Sequence, residues 1–150
     1  MPAGNWRVYA TAAEKIARNT LDLDTHAFRI VLLTASYTPN QNTHSTWADL
    51  SAAQVTGTGY TAGGQSITQA VARSAANVNF DCDDKSWPSS TITAKYAALV
   101  RDVDSDGDLD STDDILAFCD LETGGGSVST TAAALTITMN AGGLFNLTVS

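Results

Sequence analysis

The sequence predicts a mainly β fold, an antiparallel β-sandwich or jelly-roll with one N-terminal amphipathic helix, in a single domain spanning residues 1–150. Six or seven short runs rich in β-branched and aliphatic residues predict the strands. Clusters of Gly, Asn, Asp and Ser between them, at fairly regular spacing, predict the turns. Only one stretch shows a clear helical period over several turns, and it lies near the start of the chain. A chain of 150 residues can bury a core without disulfide or metal staples.

The helix is predicted over residues 5–19, NWRVYATAAEKIARN, where Val8, Ala12 and Ile16 repeat at helical spacing with Trp6, Tyr9 and Ala13 beside them. Next comes a continuous apolar run, Phe28 to Leu33, closed by Pro39 and the polar segment NQNTH, which reads as a buried strand and its loop. TWADLSAAQV reads as a short helix with Thr46 as its N-cap and Asp49 three residues on. GTGYTAGGQSIT leads through turn glycines into a strand near residues 65–68, and ARSAANVNFDC alternates at Val78 and Phe80. TITAKYAALV predicts one long strand over residues 91–100, and the apolar block Ile115 to Cys119 predicts another. At the C-terminus Leu135, Ile137 and Met139, then Phe145, Leu147 and Val149, alternate with polar residues on either side of NAGG, which predicts a half-buried hairpin.

Several functions are disfavoured by what these residues lack. The formal charge of −8 arises from 16 acidic and 8 basic residues, and residues 102–114 alone hold seven of the acids. The remainder is near neutral, without the basic stripe that phosphate contacts require, so no nucleic-acid partner is expected. No window approaches the roughly 18 apolar residues of a membrane span, and MPAGNWRVYATAAEK does not read as a secretion leader, so a soluble protein is expected. His26 and His44 stand in loops with no GxSxG serine beside them, and GTGYTAGG lacks the GK[ST] ending of a phosphate loop. No enzyme is expected, and both histidines read as exposed loop residues. Trp6, Trp47 and Trp87 are spread along the chain as core or interface anchors. Cys82 and Cys119 each lie in a strand-like run; they are either two small core residues or, if their strands pair, a disulfide.

The stretch that carries chemistry is DVDSDGDLDSTDD, residues 102–114. Asp102, Asp104 and Asp106 alternate, Gly107 follows, Asp110 comes next, and Asp113 closes a twelve-residue frame of the EF-hand type with Asp in place of the last Glu. In that frame Asp102, Asp104, Asp106 and Asp113 offer carboxylates to a Ca2+ ion, Asp108 offers its backbone carbonyl, and Asp114 falls outside, free to pair elsewhere. Two readings stand: a structural calcium loop, or a solvated acidic loop. A catalytic metal site would need His ligands or a base, which nothing nearby supplies.

DVDSDGDLDSTDDIL is similar to the calcium loop of dockerin modules, which carry two such loops, each followed by a helix. This chain has one copy followed by a strand-like block, so the resemblance implies a metal loop without implying a cohesin-binding module. A second resemblance covers most of the chain. The ordered set DLDTHAFRIVLLTASYTP, TWADLSAAQVTGTGYTAGG, VNFDCDDKSW, TITAKYAALV and LTITMNAGGLFNLTV resembles a family of short virion structural proteins of tailed bacteriophages. It implies a β-rich protein that works by assembling on the particle, and leaves open whether it decorates the capsid, sits at the neck or belongs to the tail. The first expectation is a capsid decoration or cement protein, a homo-oligomer of the virion assembled in the host cytoplasm, whose partner is the major capsid protein. The same resemblance admits a tail or neck adaptor that contacts other virion proteins. A rival from a different class is a carbohydrate-binding β-sandwich that uses calcium to hold its ligand.

Overall fold

The computed structural model describes residues 4–148 and is mainly β, with all named sheets antiparallel and one helix near the N-terminus. The helix, α1, spans Ala10–Ala17 and is shorter than the predicted 5–19. Its intended first turn is claimed by a sheet. Arg7 and Val8 form strand β1, paired with Phe118 and Ala117, and the extended backbone of Tyr9 donates its N–H to Leu116 O at 3.1 Å. Asn19, at φ 56°, turns the chain away after the last helical turn.

The centre of the fold is a five-stranded sheet of order β1-β9-β8-β2-β3, in which β2 is Phe28–Leu33, β3 Gln65–Ser66, β8 Tyr96–Arg101 and β9 Ile115–Asp120. Strands β2, β8 and β9 are buried almost continuously rather than alternately, as expected of a sheet covered on both faces. The register shows what covers each. Val31, Ala98 and Phe118 are cross-strand partners on one face, where Tyr9 packs on Phe118 at 5.1 Å between ring centroids. Phe28 points to the other face and meets the Phe80 ring edge-on at 6.1 Å.

Phe80 belongs to a second, three-stranded sheet of order β12-β5-β4, made of Gln69–Ser74 (β4), Asn77–Cys82 (β5) and Phe145–Thr148 (β12). Two ribbons complete the structure: β6 (Lys85–Ser90) with β11 (Ala133–Ile137), and β7 (Thr93–Ala94) with β10 (Val128–Ser129). All three tryptophans are core residues.

Two strand expectations are corrected. The 91–100 strand breaks at Lys95, whose N–H donates to Leu33 O at 2.8 Å; the part before joins a ribbon and the part after joins the central sheet. The alternation at Val78 and Phe80 falls in β5, and before it Ala75 at φ 53° turns the chain so that β4 folds back on β5 with Ser74 opposite Asn77. The C-terminal arms are not each other's partners. The turn closes as expected, Gly143 N–H donating to Asn140 O at 2.8 Å, but Met139 N–H is held by Asp84 Oδ1 at 2.7 Å and Leu144 N–H by Phe80 O at 2.8 Å. Each arm therefore pairs with a different earlier strand, β11 with β6 and β12 with β5. Leu135, Ile137 and Met139 are buried as the alternation predicts, whereas Leu147 is exposed; Val149 lies outside the described residues.

TWADLSAAQV forms two single 3-10 turns, Trp47–Asp49 and Ser51–Ala53. The predicted Thr46–Asp49 pair is a capping box, and Asp49 accepts the N–H groups of Ser45 and Thr46 at 2.7 and 3.1 Å.

Candidate metal centre

The acidic run is the connection between β8 and β9. Its two ends are fastened to the sheet before any aspartate acts: Arg101 N–H donates to Asp114 O at 2.7 Å and Asp102 N–H to Ala27 O at 3.0 Å. A second segment braces the exit, with Trp47 N–H on Asp113 O at 2.8 Å and Ile115 N–H on Ser45 O at 3.3 Å. Inside the loop Ser105 and Gly107 adopt left-handed backbone, φ 60° and 94°, which turns the chain back over Asp102.

Asp102, Asp104 and Asp106 converge, each offering one carboxylate oxygen within 4.8 Å of the other two. Asp104 and Asp106 are exposed, and Asp102 is buried, 4% accessible. Its Oδ2 accepts the Gly107 N–H at 3.0 Å, and its Oδ1 is buried with no hydrogen-bond partner. An unmet buried acceptor costs about 1–3 kcal/mol, more when charged. Three carboxylates this close also repel, on the order of 1 kcal/mol per pair even in bulk water. A cation among them relieves both penalties. The donor set is hard, anionic oxygen, and the cluster could hold a metal ion.

The carboxylates of the other two candidate residues are not part of this cluster. Asp108 is exposed and its N–H donates to Asp106 Oδ1 at 2.9 Å. Asp113, 2% accessible, accepts Val103 N–H on Oδ1 at 3.0 Å and Asp110 N–H on Oδ2 at 2.7 Å, so its carboxylate ties the entering limb of the loop to the leaving limb.

Asp114 pairs elsewhere, as its place outside the frame allows. It meets Lys15 of α1 and, at 3.2 Å, Arg101 Nη1. Of these partners Lys15 lies 99 residues away and leaves no local signal, while Arg101 directly precedes the acidic run and is legible as its nearest cation.

The histidines are not free loop residues. His26 Nδ1 accepts Asp22 N–H at 3.0 Å, with Arg101 Nη2 3.4 Å from Nε2. His44 Nδ1 is 2.9 Å from the Tyr37 hydroxyl, which is 2.6 Å from that of Tyr9. Burial raises the pKa of both tyrosines, and for Tyr9 the bond to Tyr37 adds to the shift. This chain locks the segment around His44 onto the start of α1, where the Thr11 hydroxyl also donates to His44 O at 3.2 Å. The cysteines sit in strands of different sheets and are free, and burial pushes both thiols up to about 12.

Away from the loop, an apolar groove of about 440 Å³ opens between α1 and the β12-β5-β4 sheet, walled by Ile16, Leu23, Val71, Phe80, Phe145 and Leu147. Periodicity missed it, because the groove joins residues from five separate segments. No helix among the described residues is long and apolar enough to cross a membrane. The chain matches no protein-family model, no curated protein and no solved structure.

Proposed function

We propose that this chain is a structural protein of a tailed-bacteriophage virion, a capsid decoration or cement protein that binds the shell of the major capsid protein as a homo-oligomer. The observation that carries the reading is the apolar groove beside α1. Its rim includes Leu147, 69% exposed on the outermost strand of its sheet, and its walls are almost wholly aliphatic and aromatic. Water wets such a face at a free-energy cost that a packing partner removes, and exposed apolar patches of this kind mark interaction surfaces. The shell is named as the partner because the ordered motifs resemble those of short virion proteins. On an icosahedral lattice many copies of a modest contact act together, which suits a cement better than a single strong site.

The acidic loop in this reading holds Ca2+. Asp102, Asp104 and Asp106 supply carboxylates and Asp108 its backbone carbonyl on the dockerin-like pattern, while Asp113, the last position of the frame, closes the loop around them. Calcium accepts a flexible shell of six to eight oxygens, whereas magnesium keeps its waters and demands an octahedron. The ion's part is structural: it cancels the charge of a loop that would otherwise repel itself.

Quantitative mass spectrometry of purified particles tests the assignment. A copy number close to that of the major capsid protein is expected. About a dozen copies or fewer would place the chain at the tail or neck instead, and its absence from particles would overturn the reading.

A further inference from the structure

We propose that the loop aspartates divide into a scaffold set and a ligand set, so that the loop is preformed and binds calcium weakly instead of folding around the ion. The inference rests on the calcium reading above and deepens it. In the twelve-residue frame the last position supplies the bidentate carboxylate that dominates the site. Here that position is Asp113, and both of its oxygens accept backbone N–H groups, from Val103 at one limb and Asp110 at the other. At 2% accessibility it is a buried cross-brace of the loop itself. Asp114 completes the scaffold through Lys15 and Arg101.

The ligand set is Asp102, Asp104 and Asp106. Asp104 makes no hydrogen bond among the described residues, Asp106 accepts a single one from Asp108 N–H, and both are exposed. Asp102 belongs to both sets: Oδ2 holds the Gly107 N–H while Oδ1 is buried without a partner. That orphaned oxygen, in a residue 96% buried and grouped with the Asp104 and Asp106 carboxylates, points to a cation independently of the acidic cluster itself. Three carboxylates with no strong bidentate partner leave much of a shell of six to eight oxygens to backbone carbonyls and water. Affinity follows ligand charge and rigidity, so the site belongs to the class with Kd of about 0.1–1 mM.

The test uses the full chain with CaCl2 as the only probe. Calorimetric titration is expected to give one site with Kd of about 0.1–1 mM. Asp104→Asn is expected to melt no lower than the parent in chelator, since it removes two of the three carboxylate repulsions, and to bind calcium at least about tenfold more weakly, because affinity follows ligand charge. Asp113→Asn is expected to lower the melting temperature in chelator by about 4 °C or more, the scale of one lost buried interaction. Should that variant fail to fold, hydrogen exchange of the parent decides: Val103 and Asp110 amides are expected to be as protected in chelator as in calcium. Amides protected only in calcium would overturn the division, as would an Asp113→Asn that melts normally in chelator yet no longer binds. A submicromolar Kd would overturn the weak-site assignment. No binding at 10-fold above about 1 mM calcium would instead remove the calcium reading, and the ligand set with it, while the chelator measurements still judge the scaffold.

Discussion

Arg101 and Asp114, the residues that flank the acidic loop, are joined twice, by the backbone bond from Arg101 N to Asp114 O at 2.7 Å and by the side-chain contact of Nη1 with Oδ2 at 3.2 Å. The Asp114 side chain is 10% accessible and also meets Lys15, which fastens α1 to the loop. Removing this carboxylate leaves two cations facing a half-dry site with nothing to balance them. Asp114→Asn is therefore expected to cost about 3 kcal/mol in urea unfolding, the lower end for breaking a buried pair. Glu14→Gln, which breaks the exposed pair of Glu14 with Arg18, is expected to cost less than about 0.5 kcal/mol. Equal costs would show that Asp114 is not the anchor.

The thiols supply a second prediction. Burial pushes Cys82 and Cys119 up to about 12, with the neighbouring Asp83 and Asp81 adding to the shift for Cys82 and Asp120 for Cys119. The thiolate is the reactive form, so at pH 8 neither side chain is expected to react with a thiol reagent while the protein is folded. Both are expected to react on unfolding, two per chain without reductant. Fewer than two would indicate a disulfide.

Leu147 separates stability from assembly. It is 69% exposed, so Leu147→Asp is expected to change unfolding free energy by no more than about 0.5 kcal/mol. The same change places a charge in the apolar groove and is expected to abolish incorporation into particles. Phe80→Ala is the contrast: Phe80 is 2% accessible and packs on Phe28 and Phe145, so about 3–5 kcal/mol is expected to be lost.

How much of this was legible beforehand follows from what each signal encodes. The run Phe28 to Leu33 announced a buried strand because continuous apolarity survives any choice of partner. The C-terminal alternation announced the buried face of Leu135 and Ile137, but alternation carries no information about which strand lies alongside, and the partners proved to be β6 and β5. β6 itself was hidden by Pro88, which normally argues against a strand; the ribbon accommodates it beside Ser89 at φ 51° and a register shift. In the loop, spacing alone grouped Asp102, Asp104 and Asp106 correctly. It could not separate Asp113 as a ligand from Asp113 as a hydrogen-bond acceptor, because both uses need a carboxylate at the same place. Nor could any local pattern link Lys15 to Asp114.

A density map of the intact particle tests the central claim most directly. The account predicts this fold on the outer surface of the shell, in near-equal number to the major capsid protein, with the groove between α1 and β12 turned toward its partner and Leu147 covered. The same fold bound through another face, with Leu147 in solvent, would contradict the assigned surface; particles with no density for this fold would contradict the function.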